Sequence, residues 1–287
     1  MSTNSPALVL ERGSNAPMRA NFTGTGGEMF GQLFVGLLLT GLTLGIYQPW
    51  FTVRLQRYLY SKITFGRTAR GNLRFEFTGA GGELFTIGLV GMVLTVITLG
   101  IYGPWFYCNL IRFFTDHSAA IAEDGTRYQL KFDGTGGPMF VTLFVGQLLT
   151  MVTLGIYLPW FLCKLERAIY SQTRIFENGQ SAGGLDFLGT GGALFGQYLI
   201  GLILTGLTLG IYLAWFEVRL EKFMLENTRV RIHERTFAGG YDGTGGQLFA
   251  KLFVGGLLTG LTLGIYYFWF LASLVHYQLS HIVVREV

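Results

Sequence analysis

The sequence predicts an all-α integral membrane protein of five tandem helical hairpins, about ten helical segments, with short β-strands in cytoplasmic linkers. Three observations carry that prediction. Only 13% of the 287 residues are charged while 50% are hydrophobic, against roughly 25% charged in an average soluble domain. The chain repeats itself five times. The charges fall on one side of every repeat.

The repeat comes first, because a fixed period decides the architecture. Gly-Gly pairs begin at Gly26, Gly81, Gly136, Gly191 and Gly245, in steps of 55, 55, 55 and 54. The run Thr-Leu-Gly-Ile-Tyr recurs from Thr43, Thr98, Thr153, Thr208 and Thr262 in the same steps. Each repeat holds one of the five tryptophans: Trp50, Trp105, Trp160, Trp215 and Trp269. The division that follows is a polar N-terminal tail (1–20) and repeats at 21–72, 73–127, 128–182, 183–237 and 238–287, together one membrane domain. The tail carries Glu11, Arg12 and Arg19 and lacks the basic-then-apolar pattern of a cleaved signal.

Each repeat opens on a short alternating stretch, such as Leu73–Phe77 or Tyr128–Phe132, the period of a strand. In repeat four only Leu185–Phe187 alternates, which predicts a weak strand there. A glycine turn and then an uncharged stretch follow, for example Met29–Val53. Crossing once per repeat would split the basic residues 11 against 10, with no positive-inside bias; hairpins put all 21 on one side. The Thr-Leu-Gly-Ile-Tyr segment supplies the reversal, since glycine permits a tight turn. Pro49, Pro104 and Pro159 suit the first turn of a second helix. The first helix, Glu28 to Gly45, rises about 26 Å at 1.5 Å per residue. That is slightly short of a hydrocarbon core of about 30 Å, so thinning of the bilayer or a re-entrant hairpin is expected.

Three residue sets stand out. Gly36, Thr40 and Thr43 share one helix face and recur as Gly91/Thr95, Gly146/Thr150, Gly201/Thr205 and Gly255/Thr259. Small residues let helices approach closely, and threonine bonds across the contact, so this stripe predicts helix packing. The tryptophans, with the preceding tyrosines, suit the membrane interface. Seven residues after each tryptophan stand Arg57, Arg112, Arg167, Lys222 and His276, and three residues earlier Arg54, Lys164 and Arg219. This spacing places them on one face of helix two. One reading is snorkelling to anionic headgroups; the other is a ring lining an anion pathway, tempered by Glu166, Glu217 and Glu221.

Other chemistry is excluded or finds no support. No Gly-Lys-Ser or Gly-Lys-Thr follows the glycine turns, so they form no P-loop. Glu28 and Glu83 suit a helix N-terminus, but Pro138, Ala193 and Gln247 replace them. Cys108 and Cys163 make neither a disulfide framework nor a metal site. His117, His233, His276 and His281 lack zincin spacing, and no nucleophile–base pair is evident. The expectation is a non-enzymatic protein with no cofactor. A net charge of +4 is too mild for nucleic-acid binding. The expected partners are the lipid bilayer and anionic headgroups or small anions, with homo-oligomers allowed.

The runs Phe22–Phe30, Leu37–Trp50 and Val53–Ser61 resemble the YjgN-like family of uncharacterised bacterial multi-pass inner-membrane proteins, a domain of unknown function. The resemblance extends over all five repeats. It implies an inner-membrane location and supplies no activity. The functional expectation is a passive channel or pore-like protein for small solutes or anions, with pseudo-five-fold repeats. Its rival is a non-catalytic scaffold that shapes lipid or gathers partners.

Overall fold

The computed structural model describes residues 17–68 and 70–287. Residues 1–16 of the predicted tail lie outside them. Unit one contributes β1 (Met18–Phe22), α1 (Gly26–Leu42), α2 (Gln48–Lys62) and β2 (Ile63–Thr68); unit two β3 (Gly71–Phe77), α3 (Gly81–Ile97), α4 (Gly103–Asp116) and β4 (Ser118–Ile121). Unit three follows with β5 (Arg127–Phe132), α5 (Gly136–Val152), α6 (Leu158–Tyr170) and β6 (Thr173–Glu177). Unit four has β7 (Gln180–Phe187), α7 (Gly191–Leu207), α8 (Leu213–Glu226) and β8 (Thr228–Ile232), and unit five β9 (Arg235–Tyr241), α9 (Gly245–Leu261), α10 (Tyr267–Ser280) and β10 (Ile282–Glu286).

The all-α expectation is overturned. Among the described residues the strands form one closed antiparallel barrel of ten, in chain order, with β1 pairing both β2 and β10. Met18 faces Val284, so the two ends of the chain close the wall. Residues 18–20, assigned above to the tail, belong to it. Every unit therefore gives two strands flanking its hairpin, and the strand after helix two was not read from the sequence. The weak fourth strand is also corrected. β7 spans eight residues, because Gly183 lets the Arg231 carbonyl of β8 approach where a Cβ would collide. No described helix is long and apolar enough to cross a membrane.

Alternation sorts the wall into two faces. Leu73, Tyr128, Leu130, Ile175, Val230 and Ile232 pack together inside the barrel. The outer face carries cross-strand ion pairs: Arg231–Asp186 at 2.7 Å, Arg174–Asp133 at 3.0 Å and Arg127–Glu76 at 3.4 Å. Lipid-facing barrel walls are apolar outside, a pattern that this wall with its ion pairs does not have.

The helices form a closed ring, each contacting the next, with α10 returning to α1. Glycines set the spacing. The Phe51 ring of α2 lies where a Cβ on Gly36 of α1 would be, and Trp50 lies against Gly81, the first residue of α3. The same two contacts recur in every unit, ending with Trp269 of unit five on Gly26 of unit one. The start of α2 thus touches both the middle of its own α1 and the beginning of the next unit's first helix. Equivalent helices begin at one height in a closed ring, so the hairpins are inclined and overlap like blades. The second glycine of each pair, such as Gly27, meets open space, and nothing in the structure explains its presence.

Candidate functional site

The hairpin tips project large apolar side chains outward, and Gly155 at the tip of unit three lies near the Tyr198 hydroxyl of unit four. Beyond Gly36, Leu37, Leu38, Leu42, Leu44 and Ile46 are exposed. No charged residue occurs from Leu37 to Tyr47, nor in the four equivalent segments. The turn is built from threonine and glycine. Thr43 Oγ1 donates to the Leu39 carbonyl at 2.7 Å and accepts from the Tyr47 amide at 3.0 Å, stitching the end of α1 to the start of α2. Gly45 sits at φ +92, where its amide donates to the Thr40 carbonyl at 2.8 Å.

Between them stands Leu44 at φ 49, with Leu99, Leu154, Leu209 and Leu263 at 49–50. A left-handed backbone costs an L-residue about 1–2 kcal/mol. Each of these leucines is also 93–95% exposed. A large apolar side chain held in a strained backbone, pointing away from the protein five times over, is the most pronounced feature of this end of the molecule.

Amphipathic residues ring the bases of the tips. Tyr47 stacks on Trp50 at 6.3 Å, and the pair recurs in the other four units at 6.0–6.4 Å. The tryptophans also pack on the glycine of the next unit, so they join units as well as line the tips. Arg54 donates to Gln32 Oε1 at 2.6 Å, Lys164 to the Tyr157 hydroxyl at 2.8 Å, and Arg219 lies 5.7 Å over the Tyr212 ring. All three are exposed. In unit five Lys251 donates to Ser273 at 2.9 Å, completing the polar ring with a residue that the sequence reading missed.

The other basic set has a different environment. Arg57 Nη2 donates to the Gly79 carbonyl at 3.0 Å, Arg112 Nη2 to Gly134 at 2.6 Å and Arg167 Nη2 to Gly189 at 2.8 Å. His276 Nδ1 lies 3.0 Å from the Phe22 carbonyl. Each side chain clamps the loop that opens the next unit, satisfying carbonyls left between strand and helix. Lys222 departs from the pattern and pairs with Glu226 at 3.8 Å on its own helix. Near these clamps Glu166 and Glu221 are half-buried, and burial raises both carboxyls above the ordinary range.

Of the packing stripe, the glycines meet a neighbouring helix, but the threonines bond within their own. Thr40, Thr95, Thr150 and Thr259 donate to the carbonyl four residues back at 2.6–2.7 Å. Thr205 has no partner for its buried hydroxyl. Cys108 packs with Phe132 and Met139, and Cys163 with Phe187 and Leu194, each pair belonging to the next unit. At the first turn of α1, Thr25 and Glu28 form a reciprocal cap. The Lys62 ammonium and the Thr25 amide hold the Glu28 carboxyl down at about 2.

A closed ten-stranded barrel with a crown of apolar-tipped hairpins defines a tandem-repeat protein. A family model described as "Bacterial protein of unknown function (DUF898)" matches residues 17–69, 72–124, 127–180 and 182–240, and the chain belongs to that family. It is 38% identical over 122 residues to the inner membrane protein YjgN of Salmonella typhimurium, covering 42% of this chain and 30% of that protein. The Escherichia coli O157:H7 protein of the same name is 39% identical over 122 residues, 42% of this chain and 29% of its own. That of Escherichia coli K12 is 44% identical over 57 residues, 20% of this chain and 14% of its own. The chain thus matches less than a third of the length of these curated relatives. Their names support an inner-membrane location. No solved structure matches.

Proposed function

We propose that this chain is a non-catalytic inner-membrane scaffold that sinks five apolar prongs into one leaflet and shapes the lipid around it. The observation that carries this reading is the set of strained, fully presented leucines at the tips. From Gly36 to Gly45 the free part of a hairpin is about 13 Å long at 1.5 Å per residue, less than half of a hydrocarbon core of about 30 Å. Five such wedges expand one leaflet and leave the other untouched. The Tyr–Trp pairs lie at the interface, and Arg54, Lys164 and Arg219 meet anionic headgroups. In this reading the barrel and its linkers lie on the cytoplasmic side, where basic residues are attracted to the anionic leaflet.

The channel reading has less support. Arg57, Arg112, Arg167 and His276 spend their donors on backbone carbonyls, and the barrel interior is apolar. The ring of repeats closes within one chain, so the scaffold needs no second copy.

Reconstitution into vesicles with a trapped halide-sensitive dye tests the reading against its rival. The scaffold predicts flux at the lipid background, unchanged in the Arg57→Gln, Arg112→Gln, Arg167→Gln triple variant, and a reduced vesicle diameter at high protein loading. Selective anion flux that the triple variant abolishes would establish the channel instead.

A further inference from the structure

The barrel encloses a cavity of about 490 Å³ that no feature of the scaffold reading uses. Its lining comes from strands all around the wall, including Ala20, Phe65, Leu130, Val230 and Ile282. None of the described residues lining it is charged. Its polar members are Tyr60, Ser118, Tyr128 and Gln129, and Tyr60, Ser118 and Tyr128 already hydrogen-bond within the protein, which suits an apolar occupant better than an ion, a sugar or a nucleotide. A dry apolar cavity of about 150 Å³ holds a benzene molecule; this one has about three times that volume. Barrels of about eight strands already hold one small ligand, and this barrel has ten.

The two ends of the lumen differ. Tyr60 of α2 and Leu279 of α10 belong to the lining, so the cavity reaches the helical crown. At the opposite end Arg70, beside the β2–β3 turn, reaches across to β5 and β6. Its Nη1 donates to Glu177 at 2.7 Å, Thr126 at 2.7 Å and the hydroxyl of Tyr128 at 3.2 Å, and Tyr128 itself lines the cavity. Glu177 also meets His233 at 2.8 Å. This network ties four strand turns together, and the Arg70 side chain is only 8% exposed.

We infer that the lumen is a binding site for a single long aliphatic chain, entering from the crown and stopping at the Arg70 network. The strands that line it run for four to seven residues, roughly 14–24 Å at 3.4 Å per residue. That length suits an extended alkyl chain better than a compact ring system. The chain arrives either as a free fatty acid or as the tail of a single-chain phospholipid; the recognised part is the same.

Photo-crosslinking of the full chain in lipid nanodiscs tests this, with two probes carrying a diazirine near the chain end, one a fatty acid and the other a lysophospholipid. Peptide mapping is expected to place adducts on the lumen strands, near Leu130 and Val230. Labelling by both probes shows recognition of the tail alone, and labelling by one identifies its source. Ala120→Trp, which fills the lumen, is expected to remove lumen adducts at least tenfold while leaving tip adducts unchanged. Should that variant fail to fold, Ala20→Phe fills the same space from another strand, and the wild-type adduct positions decide regardless. Adducts confined to the tips, or lumen adducts indifferent to filling, would overturn the inference. Tip labelling in the same experiment reports separately on membrane insertion.

Discussion

The barrel and the hairpin tips use the same apolar residues in opposite ways. In the barrel, Leu73, Leu130 and Val230 turn inward, and Arg174, Arg231 and Asp186 face out in ion pairs. At the tips, Leu44 and its four counterparts face outward, although the backbone that presents them is strained. Burial drives the first arrangement. Hydrogen bonds of Thr43 and Gly45 hold the turn, but no burial offsets the exposure of the leucines it presents. Under the proposed function, one region is complete in water and the other is completed by lipid.

The strongest way to break that contrast is to replace Leu44, Leu99, Leu154, Leu209 and Leu263 by serine together. Burying one leucine side chain is worth about 1.5–3 kcal/mol. The quintuple variant is expected to lose more than about 1000-fold in partition to vesicles, measured by flotation, with its circular dichroism unchanged. Replacement by glycine sharpens the test, because it relieves the left-handed strain. Thermal stability then rises while partition falls; tips that merely fold the protein would show both changing in the same direction.

Packing within a hairpin gives the next effect. Gly201→Val drives a branched side chain into the Phe216 ring and is expected to lose about 1–3 kcal/mol, read as a lowered Tm. Gly137→Ala meets open space and is expected to leave Tm within a degree or two. Equal losses at the two sites would discard the packing account.

The clamps supply a comparison within the repeat. Arg112→Gln removes donors from the Phe132 and Gly134 carbonyls, an expected loss of about 1–3 kcal/mol. Lys222→Gln touches only an exposed pair with Glu226 and is expected to stay within about 0.5 kcal/mol. Denaturant unfolding of both variants measures the difference.

The smallest effect concerns pH. Glu28 is held at about 2 against an ordinary 4.5. Its folded-state value is depressed, so its contribution is full above about pH 4.5 and disappears as pH falls through 2. Wild type is expected to exceed Glu28→Gln in Tm at pH 6, with the gap closing by pH 2. A gap that persists at pH 2 would assign the effect to something other than this carboxylate.

Much of one unit was legible in the chain. The Gly-Gly and Thr-Leu-Gly-Ile-Tyr runs mark where the helices start and reverse, since those positions need a close approach or a left-handed backbone. The site was only half legible. The clamp arginines were visible as a periodic set, but their partners lie in the following unit. The constant 22-residue gap from Arg57 to Gly79, Arg112 to Gly134 and Arg167 to Gly189 was the available signal. Strands such as β7, with Gly183 and Gly184, carry no alternation over half their length; their pairing with β8 makes them strands.

The sequence by itself determined the repeat, the hairpin turn and the segregation of charge from the apolar tips. Each of these follows from residues close together in one unit, where periodicity and backbone preference act locally. Only the tertiary structure decided that two strands per unit close into a barrel and that Arg57, Arg112, Arg167 and His276 serve as clamps. Those features are set by contacts from one unit to the next and from unit five back to unit one. A ring closes or fails to close through the sum of all its interfaces, and no single stretch of sequence carries that sum.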